Sequence, residues 1–226
     1  LKLGIYGDSY AEKRWGQEIW WRLLGSKHGH DVTSFGEGGS SIMFSAHLIE
    51  KNHQHFDLNI WCLTSPGRFS FKNSKGNYVH TATVVETIEN DPNWDYESRK
   101  KLEVCNDFLK YILDFDDEDF IGTAIAQYHL AKGNVCIIPC FASPLRTENN
   151  LFEACANETF HYFGHRDMLA LYKEWEDLRP AHFSPINNRV LAQMVAENLK
   201  PGVLEIDLCR FVEPDIPRGK AFKKLY

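Results

Sequence analysis

The residues whose chemistry stands out are Ser9, His182 and a cluster of glycines. Leu1-Lys2-Leu3-Gly4-Ile5-Tyr6 is a short apolar run that stops abruptly in Gly7-Asp8-Ser9. A serine in a turn at a strand's carboxyl end presents its hydroxyl at the sheet edge, where a nucleophile is useful. Gly36-Glu37-Gly38-Gly39-Ser40-Ser41 offers close backbone approach and N–H groups at a helix start, which suit an anion or a developing oxyanion. Far along the chain, His182 stands just before Phe183-Ser184-Pro185 and a C-terminal helical pattern. Acyl transfer needs a hydroxyl nucleophile, an imidazole to take its proton, an acid to orient that imidazole, and N–H donors for the oxyanion. The plainer reading keeps Ser9 as a helix cap and Gly7 as a turn residue.

The elements that must position these residues alternate between strand and helix. After Ser9 an amphipathic helical pattern follows almost at once, with Trp15, Ile19, Leu23 and Leu24 on one face. Asp31–Phe35 reads as a second strand, and residues from Ile42 to Ile49 as a second helix. Asp57–Leu63 is a third strand, nearly all apolar and so buried on both faces. It runs into Thr64-Ser65-Pro66-Gly67-Arg68. Residues 69–96 are polar and aromatic-rich without clear periodicity, which reads as a binding loop, a lid or a plain surface insertion. Leu102, Cys105, Leu109, Ile112 and Leu113 share a helical face. Phe120, Ala124, Ile125 and Tyr128 continue a further helix to the stop signal Lys132-Gly133. Asn134–Phe141 is a fourth strand. Ser184 is a fitting N-cap for a helix whose apolar face is Ile186, Val190, Leu191, Met194, Val195 and Leu199. Val203–Ile206 reads as a last short strand. The pattern predicts an α/β protein with a central parallel sheet of about five strands covered on both faces. Ser9, Gly39, the loop Thr64–Arg68 and His182 can all lie at one edge of that sheet.

Composition narrows the function classes. At 226 residues the chain fits one domain, residues 1–226, with an insertion around 69–96 and a C-terminal extension over 207–226. A net charge of −6 and the absence of a Lys/Arg run argue against nucleic acid as a partner. No apolar segment reaches the length of a membrane span, and no signal peptide is visible, which leaves a cytoplasmic setting or an unassigned one. The glycine cluster is not a dinucleotide fingerprint: Ser41 replaces the third glycine, and the cluster follows the second strand. There is no P-loop. Asp114-Phe115-Asp116-Asp117-Glu118-Asp119 does not fit a calcium loop. His161 and His165 lack a third ligand at a convincing spacing, and no cysteine pair has CxxC spacing, so no metal is expected. The six cysteines read as buried reduced thiols.

Gly7-Asp8-Ser9 near the start, a Gly-x-x-Gly after the second strand (Gly36 to Gly39), and His182 before a C-terminal helix resemble the SGNH, or GDSL, hydrolases. The resemblance covers nearly the whole chain in order and spacing. It implies a three-layer flavodoxin-like fold and a serine esterase or deacetylase that needs no cofactor. The substrate it implies is a small-molecule or glycan ester, such as an acylated carbohydrate. By this match Ser9 is the nucleophile and His182 the general base. The Ser9 and Gly39 backbone N–H groups form the oxyanion hole. Asp8 and Arg68 are expected, with Gly39, among the oxyanion- and substrate-binding residues.

Two positions depart from the family. Its third block, Gly-x-Asn-Asp, corresponds here to Thr64-Ser65-Pro66-Gly67, so Pro66 stands where an oxyanion-donating Asn is expected. Proline has neither an N–H nor a side-chain donor. Arg68 is close enough in sequence to supply positive charge instead. The family's acid lies three residues before the histidine, and that position is Arg179. Asp177 is the nearest Asp, Glu176 the reserve, and a Ser–His dyad oriented by a backbone carbonyl is a third possibility. The alternative function is a catalytically degenerate domain of this fold that binds a glycan or a protein partner. Oligomeric state is open.

Overall fold

A computed structural model describes residues 1–12, 19–64, 68, 70–72, 78–80, 100, 104, 118–140, 149–151, 154, 183 and 185–212. Five strands form one sheet: β1 (Lys2–Tyr6), β2 (Asp31–Ser34), β3 (Leu58–Leu63), β6 (Val135–Pro139) and β7 (Gly202–Val203). Their order is β2-β1-β3-β6-β7, and every neighbouring pair is parallel. Between β3 and β6 in the chain, β4 (Ser70–Lys72) and β5 (Tyr78–His80) pair as a separate antiparallel hairpin. The α/β reading with a five-stranded parallel sheet therefore stands.

The pleat explains the layers. Every residue of β3 and β6 is buried, as a strand covered on both faces requires. Leu3, Ile5, Leu58, Ile60, Cys62, Cys136 and Ile138 point to one face and pack with α1 (Trp20–Ser26) and the C-terminal helix α4 (Pro185–Glu197). Tyr6, Trp61, Leu63, Val135 and Ile137 point to the other, under α2 (Ile42–Asn52) and α3 (Glu118–Leu130). Among the described residues, no helix is long and apolar enough to cross a membrane. Cys62, Cys136 and Cys140 are buried free thiols, whereas Cys209 is exposed.

Several local expectations change. The first described helix starts at Trp20, and residues 13–18, which carry the start of the pattern after Ser9, lie outside the described residues. Ahead of that segment, Tyr10 and Ala11 are buried and Glu12 bridges to Gly36, just past the end of β2. Ile19, Leu23 and Leu24 still bury together, while Trp15 lies outside the described residues. The stretch after residue 69 carries the β4–β5 hairpin. The last strand is shorter, Gly202–Val203. On α4, Ile186 is exposed, and Asn187 and Asn188 take buried positions in its first turn. The helix read through Leu102 and Leu113, the pair His161 and His165, Ser184 and residues 213–226 fall outside the described residues.

On α3, Gly122, Ala126 and His129 are buried and Ile125 and Leu130 pack against the core, whereas Ala124 and Tyr128 are exposed. Trp61, fully buried in β3, belongs to the cluster beneath this helix. Its ring meets His129 edge-on, centroids 5.3 Å apart. Burial lowers the His129 pKa, with Lys132 adding to the effect. The imidazole is thus neutral in the fold, and the unfolded chain binds the extra proton below its ordinary value of 6.5. Stability should fall as pH drops from 6.5 towards the lower folded value. Chemical denaturation of His129→Leu across that window should show a shallower acid loss than wild type; equal slopes would refute the assignment.

Candidate functional site

The order of the sheet reverses direction between β1 and β3, and ligands in open α/β sheets bind outside the strand carboxyl ends at such a point. Three strand ends meet there: Gly7-Asp8-Ser9 after β1, Thr64 after β3, and Cys140 after β6. Gly7 has φ +140°, and a Cβ on it would lie 2.6 Å from both Cβ and the carbonyl oxygen of Cys62. Only glycine lets β1 leave the sheet this tightly against β3.

Asp8 is fully buried at the centre of this edge. Its Oδ1 accepts the Tyr10 N–H at 3.1 Å, and its Oδ2 accepts the Thr64 hydroxyl at 2.8 Å and an Arg68 guanidinium N–H. The Arg68 side chain is itself only 13% exposed. A buried carboxylate is tolerable here because charge and hydrogen bonds compensate it together. Behind it, burial pushes the Cys140 thiol well up, helped by Cys62 and by the Asp8 carboxylate. Cys140 is therefore a protonated wall of the site and not a thiolate nucleophile.

Ser9 occupies the turn that Asp8 organises, partly exposed, with the Ala11 N–H donating to the Asp8 carbonyl at 3.0 Å. The glycine loop is fastened to this turn. Both the Glu37 N–H and the Ser40 hydroxyl donate to the Gly7 carbonyl, each at 3.1 Å. A Cβ on Gly36 would stand 2.3 Å from the Ala11 backbone, so glycine is needed for the approach. Gly39 has φ +75° and leads through Ser40 to Ser41, whose hydroxyl caps α2 by accepting the Phe44 N–H at 3.2 Å. The structure thus brings the Gly39 loop and the Ser9 turn together through the Gly7 carbonyl.

The C-terminal part reaches the same neighbourhood. The Phe183 ring packs on Tyr10 with centroids 6.2 Å apart and stacks on Phe211 at 5.1 Å. Asn188, in the first turn of α4, accepts the Trp20 N–H at 3.0 Å and donates to the Phe183 carbonyl at 3.0 Å. One buried amide therefore ties the chain after Ser9 to the chain after His182. His182, Asp177, Glu176 and Ser65-Pro66-Gly67 themselves lie outside the described residues.

Sequence reading missed a polar relay on the hairpin. The Ser41 N–H donates to Ser70 Oγ at 2.9 Å, Ser70 Oγ lies 2.8 Å from His80 Nδ1, and His80 Nε2 lies 2.9 Å from Glu37 Oε2. Gly76-Asn77 ahead of Tyr78 was a turn signal for the hairpin. The pairing of Ser70 with His80 depends on strand register, which no local signal fixes. Among the described residues, no group of His, Cys, Asp and Glu could hold a metal ion. In comparisons with known proteins, no family model and no curated protein matches the chain.

Proposed function

We propose that the protein is a serine esterase of the SGNH type, removing acyl groups, acetyl among them, from a carbohydrate or another small polar substrate. With the hairpin set aside, the parallel strands run 2-1-3-4-5 in chain order, the flavodoxin-like order. The observation that carries the reading is the contact between Tyr10 and Phe183. These are the immediate chain neighbours of Ser9 and His182, 173 positions apart in sequence, and the reading takes the hydroxyl and the imidazole to meet beside that contact.

In this reading Ser9 Oγ attacks the ester carbonyl carbon while His182 takes its proton. The oxyanion accepts from the Ser9 and Gly39 N–H groups. His182 then returns the proton to the departing alcohol, and water cleaves the acyl-enzyme by the same route in reverse. Asp177, Glu176 or a backbone carbonyl orients the imidazole. The chemistry calls for no cofactor.

The Asp8–Arg68 pair favours a second reading. With Pro66 in place of the oxyanion-donating Asn, Arg68 was the substitute cation, and its charge is matched by Asp8. A degenerate domain that binds a glycan or protein without turnover fits that pairing. A fluorophosphonate probe separates the two. Peptide mapping should find the adduct on Ser9; an unlabelled protein that binds glycans saturably would overturn the esterase.

A further inference from the structure

We infer that His80 is a positioning residue that clamps the glycine loop and so sets the Gly39 N–H, an inference that rests on the esterase reading. With a neutral His80 imidazole the relay runs in one direction of donation. The Ser41 N–H donates to Ser70 Oγ, the Ser70 hydroxyl to His80 Nδ1, and the His80 Nε2–H to the Glu37 carboxylate. Donors and acceptors aligned this way polarise one another. The His80 ring also packs edge-on against Phe44 in α2, centroids 4.7 Å apart.

The geometry brackets the loop. Glu37 and Ser41 are its two flanks, with Gly38, Gly39 and Ser40 between them. From the inside, the Glu37 N–H and the Ser40 hydroxyl hold the Gly7 carbonyl. From the outside, Ser70 and His80 hold Glu37 and Ser41. A loop with two glycines in a row has many backbone states to choose from. The hairpin removes that choice at both ends, and an oxyanion donor is useful only when its N–H is fixed in advance.

Ser70, His80 and Glu37 also form a serine–histidine–acid chain, which raises the question of a second nucleophile. Two features argue for the clamp. The Ser70 oxygen is already an acceptor for the Ser41 N–H. The Glu37 side chain is 53% exposed, whereas the acid of a catalytic triad is buried behind its histidine.

The test uses His80→Ala, Glu37→Ala, the double variant and His80→Gln in the full chain, read by amide hydrogen exchange over residues 36–41 and by 4-nitrophenyl acetate turnover. Glu37→Ala changes an exposed side chain and keeps the experiment interpretable if His80→Ala fails to fold. Each single variant should raise exchange in the loop about tenfold or more and lower kcat about tenfold with KM little changed, less than outright loss of an oxyanion donor. The double variant should lose no more than His80→Ala alone, because Glu37 acts on the hairpin through its hydrogen bond to His80. His80→Gln, which keeps a donor towards Glu37, should recover most of kcat. Unchanged exchange overturns the clamp, and so does raised exchange with unchanged kcat. Adduct formation on Ser70 overturns it in favour of a nucleophile there. If wild type shows no Ser9-dependent turnover, the esterase reading and the role in positioning Gly39 fall, and exchange alone reports whether the loop is clamped.

Discussion

Replacing Ser9 by alanine is expected to lower kcat/KM for a short-chain aryl ester by at least about 10³-fold while the protein stays folded. The nucleophile of a triad acts as a unit with its base, so its removal leaves only binding and oxyanion stabilisation to assist water. The turn itself should survive. It is held by the Ala11 N–H on the Asp8 carbonyl and the Tyr10 N–H on the Asp8 carboxylate, neither of which needs the Ser9 side chain. Circular dichroism and thermal melting of the variant should therefore follow wild type. If Ser9→Ala turns over as fast as wild type, the mechanism is wrong. If neither protein turns over and both bind the same glycan equally, the binding reading replaces it.

The second large effect lies beneath Ser9. Asp8→Ala should destabilise the fold by about 3–5 kcal/mol, because it leaves a buried guanidinium without its carboxylate. For a chain of this size that is a fall in Tm of roughly 6–20 °C. Three interactions go at once: the Arg68 ion pair, the acceptor for the Thr64 hydroxyl, and the acceptor for the Tyr10 N–H. Asp8→Asn keeps one oxygen, enough for the Tyr10 N–H or the Thr64 hydroxyl but not for both, and should lose less than Asp8→Ala. Asp8→Ala combined with Arg68→Met should regain much of the loss, since the costly species is the orphaned charge and not the missing pair. Melting curves of the three variants decide the matter. A loss below about 1 kcal/mol for Asp8→Ala would place the pair in the class of exposed surface bridges. The variant also bears on function, because freeing Arg68 removes the carboxylate that neutralises the one candidate substitute for the missing Asn.

The architecture was legible wherever burial is written into side-chain pattern. The nearly all apolar Leu58–Leu63 announces a strand covered on both faces, and it is; Val135–Pro139 is buried in the same way. Lys132-Gly133 marks the end of α3, with Gly133 at φ +83°. The inward face of α3 was legible only in part: Ile125 packs against the core, but Gly122, Ala126 and His129 beside it are too small or too polar to announce burial, and the larger Tyr128 is exposed. His129 meets the Trp61 ring, a partner from β3. The buried Asn188 was passed over on α4 for the same reason: an amide looks like a surface residue until its two backbone partners, Trp20 and Phe183, are in place.

From composition and order alone come an α/β chain with a parallel sheet of about five strands, the turn glycine at Gly7, and a short set of candidates for acyl chemistry. These follow from local rules: an apolar run must be buried, and a chain that leaves a strand in a tight turn needs a residue without Cβ. Tertiary structure alone decided the partners. It matched Arg68 with the Asp8 carboxylate, fastened the glycine loop to the Gly7 carbonyl, and laid Phe183 on Tyr10. It also closed the Ser70–His80–Glu37 relay across a hairpin. Each of those contacts joins segments far apart in sequence, and its energy exists only once the sheet has brought the segments within a few ångströms of one another.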